Sequence, residues 1–464
     1  MTCCKPPLLL GLTESVCPQC LKTIAAERVA IGDVVYLKKT CPEHGETSTP
    51  VWRGLDSYLR WGEAPRAWSR PTAPATEVRH GCPLDCGLCP DHRQQSCCVL
   101  LEVTSLCDLA CPVCYASASR RGADASMSEI EGWLDTLSQA GGRVHIQLSG
   151  GEPTLRDDLP DIVRLVRSRG FDFVQLNSNG VRLARDHDFV AALAKARLDC
   201  LFLQFDGVSD AVYQQLRGAK LMRLKQQAID NCAEVGIGVV LTPTLVPGVN
   251  TNEIGAVVDF ALARLPSVRA VHFQPVSYFG RGLAAPDAAS RFTLPEVMRA
   301  LIDHGGGAIR FEDFRPGSAE NPYCSFSGRF RVDVTGRLSA IAEPAASCCA
   351  PAPAKSSCCG APRPSPEVAR ERRYVAGQWT RPDRDVTPEP GLAAFDAFLA
   401  SHERTLGLSG MAFQDAWTLD TDRLRQCHIH VVAPDRRVIP FCAYNLTSAD
   451  GRPLYRQLVA EPVG

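Results

Sequence analysis

Three cysteines in one short stretch, Cys107-x3-Cys111-x2-Cys114, are the residues best suited to chemistry. Thiolates are the preferred ligands of iron in iron–sulfur clusters, and a cubane holds four irons. Three local thiolates leave one iron open to a small chelating molecule, much as a catalytic zinc keeps one position open. Alone, the triad fits a structural zinc site completed by another Cys equally well. A second motif, Gly150-Gly151-Glu152-Pro153, shifts the balance toward a cluster. Its glycines let the backbone approach a ligand closely, and Glu152 can accept from an ammonium group.

These motifs need a scaffold that gathers them on one face. Short apolar runs at 98–104, 144–149, 171–177, 200–206, 237–245 and 270–276 read as buried strands. Helical segments alternate with them at 126–139, 159–169, 189–196, 221–235 and 252–264, the first opening on Ser126-Met127-Ser128-Glu129, a capping sequence. Six βα repeats predict a parallel sheet, either open and doubly wound or a partial barrel, with function at the C-terminal strand ends. The triad follows the first strand, the Gly-Gly turn the second, and Ser178-Asn179 the third. Asp206, Asn250 and Gln274 fall at or beyond the ends of the later strands.

The combination Cys107-x3-Cys111-x2-Cys114-Tyr115 with Gly150-Gly151-Glu152-Pro153, supported by Leu176-Asn177-Ser178-Asn179-Gly180, resembles the radical S-adenosylmethionine (SAM) superfamily. The resemblance implies an α/β fold with a partial (β/α)6 barrel. It also implies a [4Fe-4S] cluster on Cys107, Cys111 and Cys114 that binds SAM and cleaves it reductively to a 5′-deoxyadenosyl radical, which takes hydrogen from an unactivated carbon. By position, Gly150, Gly151, Glu152 and Pro153 would hold the methionine end, next to Tyr115. Ser178 and Asn179 would meet its carboxylate or ribose. Asp206, Asn250 and Gln274, with Gln204, would meet ribose, adenine or substrate. Arg217 is read either as a partner for a carboxylate or as a surface residue. An electron donor such as a flavodoxin or ferredoxin is implied as a partner. The catalytic residues that meet substrate are not assigned.

The flanks carry more thiols. Cys17-x2-Cys20 and Cys41-x2-His44 lie about 20 residues apart, as in zinc ribbons and rubredoxins, and predict a mononuclear zinc or iron site; Cys3 or Cys4 could replace His44. Cys82-x3-Cys86-x2-Cys89, completed by Cys97 or Cys98, predicts an auxiliary [4Fe-4S] cluster, the alternative being a zinc knuckle with His92. A hairpin across Pro434-Asp435 should bring Cys427 to Cys442, with Cys324 joining them as a third cluster site or as buried unpaired thiols. Cys200 and Cys232 sit in apolar patterns and read as buried small hydrophobes. This layout, with Gly81-Cys82-Pro83 and Ile439-Pro440-Phe441-Cys442-Ala443-Tyr444-Asn445, resembles tetraether lipid synthase and its relatives, once described as class D radical methylases acting on pterins. That implies carbon–carbon bond formation or methylation on a lipid or small molecule. Peptide modification and non-enzymatic metal binding are the alternatives.

The expected organisation is a metal knuckle over 1–60, an auxiliary segment over 61–98 and the barrel over 99–320. An extension (321–342), a Cys/Pro/Ala-rich linker (343–391) and a small α+β domain (392–464) follow. The linker contains Cys348-Cys349 and Cys358-Cys359, read as a soft-metal trap or as dispensable. The chain has 464 residues and 22 Cys, with 50 Lys+Arg against 51 Asp+Glu. The balanced charge argues against nucleic acid or a polybasic membrane contact. No apolar run approaches the roughly 20 residues of a membrane span, and the Leu8-Leu9-Leu10 stretch is too short for a signal peptide. A cytoplasmic location is expected, peripheral to a membrane if the substrate is a lipid. Thiol abundance there favours metal ligation over disulfides.

Overall fold

A computed structural model of the chain describes residues 6–64, 68–71, 74–141, 144–282, 285–333, 335–341, 366–380 and 404–456. Cys3, Cys4 and the four linker thiols lie outside the described residues.

The N-terminus is a four-stranded antiparallel sheet of β1 (Leu8–Val16), β2 (Thr23–Ile31), β3 (Val34–Cys41) and β4 (Gly45–Arg53), in sequential order. Its two connecting knuckles carry Cys17/Cys20 and Cys41/His44.

The larger sheet is built on six parallel strands: β5 (Cys98–Thr104), β6 (His145–Gly150), β7 (Val174–Ser178), β8 (Cys200–Gln204), β9 (Gly238–Thr242) and, after the two-residue β10 (Thr244–Leu245), β11 (Val268–Pro275). They pair in the order β11-β9-β8-β7-β6-β5, with β10 also parallel to β11. This is the parallel sheet the βα alternation predicts, in the partial-barrel form that the resemblance implies. Helices such as Met127–Gly141, Leu159–Ser168 and Met222–Val235 form its outer layer. The first has the expected box, with Ser126 N–H donating to Glu129 Oε2 at 2.7 Å and Glu129 N–H to Ser126 Oγ at 3.2 Å. The run expected as one strand at 237–245 is broken at Pro243, which has no N–H to give to a ladder.

The described residues of the segment expected as a small α+β domain over 392–464 join the barrel sheet itself. β14 (Thr405–Met411) pairs parallel with β11, and β15 (Ile429–Val432) pairs parallel with β5. The parallel core is thus extended at both edges by strands from the end of the chain. β12 (Ser325–Val332), expected in an extension, lies antiparallel to β14 and carries β13 (Leu338–Ala340) outside it. β16 (Val438–Pro440) closes the other edge as the predicted hairpin with β15.

The helix Pro366–Trp379 closes the N-terminal mouth of the barrel. Its Val375, Ala376 and Trp379 pack on Phe173, Cys200, Phe202, Val240 and Ala270, at the lower ends of the strands. Cys200 and Cys232 are buried in apolar surroundings, as expected. Among the described residues, no helix is long and apolar enough to cross a membrane.

Candidate active site

The loop after β5 carries the triad to the top of the barrel. It is held down by backbone bonds from Cys107 N–H to Ser119 at 2.8 Å and by the reciprocal pair between Cys114 and Arg281 at 3.1 and 3.0 Å. The Arg281 guanidinium fixes the loop from beneath, donating to the Cys111 carbonyl at 3.0 and 3.2 Å and to the Ala118 carbonyl at 3.0 Å. Gly280 and Gly282 flank it, and a Cβ on Gly282 would lie 1.5 Å from the Pro112 carbonyl oxygen. Sequence reasoning missed this support; its only trace is the Gly280-Arg281-Gly282 run after β11.

The Gly-Gly turn after β6 is sewn to the same loop. Gly151 N–H donates to the Thr104 carbonyl at 2.8 Å and Glu152 N–H to the Leu106 carbonyl at 2.7 Å. A Cβ at Gly150, whose φ is +124°, would stand 2.1 Å from Thr104 O, and one at Gly151 2.0 Å from Leu106 O. Only glycine permits this approach. The Glu152 carboxylate, buried and therefore raised in pKa, accepts from Thr154 N–H (3.1 Å), Thr154 Oγ1 (2.6 Å), Ser178 Oγ (2.8 Å) and Asn179 N–H (2.6 Å). Three of these bonds fall on Oε1 and one on Oε2, and through them Glu152 ties the end of β7 to the turn.

Cys107, Cys111, Cys114, Tyr115, Gly150, Gly151, Glu152, Ser178, Asn179 and Gln274 all line one cavity of about 290 Å³. Pro153 is buried at the start of a short 3-10 turn just behind them. Tyr115 OH lies 3.1 Å from Ser149 Oγ, and Asn179 Nδ2 donates to Asp108 Oδ1 at 2.7 Å. Burial pushes the Cys107 thiol up to about 12 and raises Cys111 as well.

Asp206 and Asn250, expected to meet ribose, adenine or substrate, do not line this cavity. Asp206 is fully buried and takes both arms of Arg217, each at 2.7 Å, so Arg217 is a buried ion-pair partner and not a surface residue. Asn250 donates to the Asp206 and Thr244 carbonyls at 2.7 and 2.8 Å and accepts from Val246 N–H at 2.7 Å. Their polar groups brace strand ends and do not face the cavity. Arg217 reaches it, also donating to the Val113 carbonyl at 3.1 Å within the cysteine loop.

In the N-terminal sheet, Cys17, Cys20, Cys41 and His44 offer ligand atoms all within 4.8 Å of one another. His44 Nδ1 is 3.5 Å from Cys17 Sγ and 3.4 Å from Cys41 Sγ, and Cys20 Sγ is 4.0 Å from Cys41 Sγ. Tetrahedral zinc with ordinary bond lengths requires edges of about 3.5–3.8 Å, so the four donors fit a closed mononuclear site. The neighbouring His44 brings the Cys41 thiol down to about 6.

Cys82, Cys86 and Cys89 gather around one small cavity that His92 also lines. Cys97 and Cys98, expected to complete this group, are elsewhere. Cys97 packs with Ala319 and Val368, and Cys98 begins β5 beside Gln147 and Gln175 in the main cavity. Among the described residues, Cys427, from outside that segment, is near enough for its charge to raise the Cys86 thiol. Burial pushes the Cys427 thiol up, and the nearby charges of Cys442 and Cys324 push it further. Gln414 N–H donates to Cys442 Sγ at 3.2 Å, and Arg423 Nη2 lies 3.5 Å from Cys324 Sγ.

Residues 101–261 match the Radical SAM superfamily model, and residues 9–53 match the HMPTM N-terminal zinc ribbon domain. A 7,8-dihydro-6-hydroxymethylpterin dimethyltransferase of Methanocaldococcus jannaschii is 33% identical, over 97% of this chain and 94% of that protein. A PqqA peptide cyclase of Streptomyces rochei is 32% identical over 47% of this chain and 62% of its own. The solved structure of Streptococcus suis SuiB bound to its precursor peptide SuiA aligns over 46% of each chain, with TM-score 0.38 and 17% identity. With the superfamily model lying on the barrel and the archaeal relative matching nearly end to end, the chain belongs to the radical SAM superfamily of enzymes, in the family of that relative.

Proposed function

We propose that this enzyme methylates a carbon of a small, polar, pterin-like heterocycle bound inside the barrel. The observation that carries this reading is the shared cavity: three thiols and the Gly150-Gly151 turn open onto a wall of amides, Gln147, Gln175, Asn177, Gln204 and Gln274. Gln175 and Asn177 already donate to Gln147 and Ser149, but Gln175 Oε1 has no partner, and a saturated lipid chain would leave it so at about 1–3 kcal/mol for a buried group. The N–H of a nitrogen heterocycle matches it. The full-length relative named for a pterin supports the same choice over lipid coupling.

Cys107, Cys111 and Cys114 would hold the [4Fe-4S] cluster, and the soft donor set and the glycine cradle fit it together with SAM. When bound, that pair supplies a radical able to take hydrogen from an inert carbon. The chain does the rest. Arg281 and the Gly-Gly turn fix the loop, the backbone at Gly150 and Gly151 would hold the methionine end, and the plugged barrel would exclude water. Cys17, Cys20, Cys41 and His44 would hold a structural metal. Cys82, Cys86 and Cys89, with Cys427, and Cys324 with Cys442 would supply donors for auxiliary clusters. A reductant protein such as a flavodoxin or ferredoxin would deliver the electron.

The test is anaerobic reconstitution with iron and sulfide, then incubation with methyl-labelled SAM, reductant and 7,8-dihydro-6-hydroxymethylpterin. A methylated pterin by mass spectrometry is expected. Abundant 5′-deoxyadenosine with unchanged pterin would reject the substrate class.

A further inference from the structure

The main cavity has a second polar end, away from the cysteine loop. Glu371 reaches it from the plug helix, Glu320 from the segment before β12, and His428 from the residue before β15. Glu320 and His428 side chains are only 4% and 6% exposed. Glu320 Oε1 accepts from the Ser325 hydroxyl, but Glu320 Oε2 and His428 Nδ1 have no hydrogen-bond partner. They face each other across 3.3 Å without hydrogen-bond alignment. Glu371 Oε2 accepts from Ser318 N–H at 3.2 Å and from its hydroxyl at 2.9 Å. Gln175 Oε1 is another buried acceptor on the cavity wall without a partner.

Native folds leave few such atoms, and a buried carboxylate without a donor is costly. Burial raises both carboxyl groups, and Glu320 raises Glu371 further, while burial lowers His428 to about 4. A neutral imidazole does not neutralise two carboxylates. The one guanidinium nearby among the described residues, Arg372 on the same helix as Glu371, bears on His428 but donates to the Ser96 carbonyl at 2.6 Å, and Glu320 Oε2 is left without a donor. A carboxylate is matched best by two parallel N–H groups, as on a guanidinium or on the 2-amino, ring N–H edge of an aminopyrimidinone. A second acid or a phosphate would be repelled, and an alkyl chain offers nothing.

We propose that Glu320, backed by Glu371, anchors the amidine-type N–H edge of the substrate ring. The far side of the ring then points along the cavity toward the triad. The inference rests on the heterocycle reading above and assigns the group that recognises it.

The test is equilibrium binding to the reconstituted holoenzyme without reductant. The probes are 7,8-dihydro-6-hydroxymethylpterin and the same ring with oxygen in place of the 2-amino group. Wild type should prefer the amino ring by about tenfold or more, the usual worth of a charge-assisted hydrogen bond. Glu320→Gln should lose that preference while binding the oxo ring as before, and Glu371→Gln should lose part of it. Iron content and thermal midpoint report whether each variant is folded. If neither variant folds, the wild-type preference alone decides: equal binding of the two rings overturns the anchor. Pterin affinity unchanged in folded Glu320→Gln overturns the anchor and leaves the pterin reading standing. Wild type binding neither ring overturns both.

Discussion

Two cysteine sites in this chain are built on opposite plans. In the N-terminal ribbon, four donors from two knuckles converge within 4.8 Å, and each knuckle is braced by a strand pair of the sheet. In the barrel, three thiols sit on one loop and face a cavity whose wall also holds the Gly150-Gly151 turn. A closed donor set leaves a metal nothing to do but hold the fold, whereas an incomplete set beside a cavity leaves a position for a ligand. The ribbon is joined to the rest of the chain by structural contacts: Arg28 pairs with Asp420 at 2.7 Å, and the buried Lys39 donates to the Ala416 carbonyl at 2.7 Å. The lesson is that cysteine number says little, and the space left beside the thiols says more.

The contrast can be broken by mutation. The largest effect is expected at the triad. Cys107→Ala, Cys111→Ala or Cys114→Ala should reduce 5′-deoxyadenosine formation by about three orders of magnitude or more, the scale of losing a mechanism's essential group. Next is Gly151→Ala, whose Cβ meets the Leu106 carbonyl oxygen at 2.0 Å. It should displace the turn and weaken SAM binding by about a hundredfold, since a misplacement near 1 Å is that costly. Titration with SAM measures it, and iron content should stay normal.

Cys17→Ala should do the reverse of the triad variants. It should remove one metal per chain and lower the thermal midpoint, because structural metal binding is folding free energy. Single-turnover SAM cleavage by the protein that remains folded should persist. A ribbon variant that kills cleavage while the chain stays folded would erase the distinction.

A smaller effect concerns pH. Burial lowers His145 to about 3 and His272 to about 4, against an ordinary value near 6.5. Between those values the unfolded chain binds protons that the folded chain refuses. Stability therefore falls as pH drops from about 6.5 toward 4, by about 1.4 kcal/mol per pH unit for each histidine. Urea midpoints at pH 7 and pH 5 measure it, and His272→Gln should flatten the slope. The smallest effect is at Cys232. Its replacement by Ala should cost about 1 kcal/mol and leave iron content unchanged, as fits a thiol that only packs.

What was legible in the sequence was local. Cys107, Cys111 and Cys114 declare themselves by spacing, and the six core strands by apolar runs between helices. The ribbon ligands also follow from short spacings. Partners distant in the chain were not legible. Nothing in Ile429–Val432 says that it pairs with β5, more than 300 residues earlier, and so Cys427 could not be set beside Cys86. Cys97 and Cys98 were the nearer thiols in sequence, but β5 begins at Cys98 and carries it into the barrel. Asp206 and Asn250 stood at the right strand ends, yet a side chain's direction is set by neighbours such as Arg217 and Val246, which spacing does not reveal. Arg281 acts on the cysteine loop from 170 residues away.

The most direct test of the open-site account is electron paramagnetic resonance of the reduced, reconstituted enzyme with and without SAM. Wild type and Cys17→Ala should show a [4Fe-4S] signal that shifts when SAM is added, and the triad variants should lose that SAM-sensitive signal. A SAM-sensitive cluster that survives in Cys107→Ala, Cys111→Ala and Cys114→Ala would contradict the account.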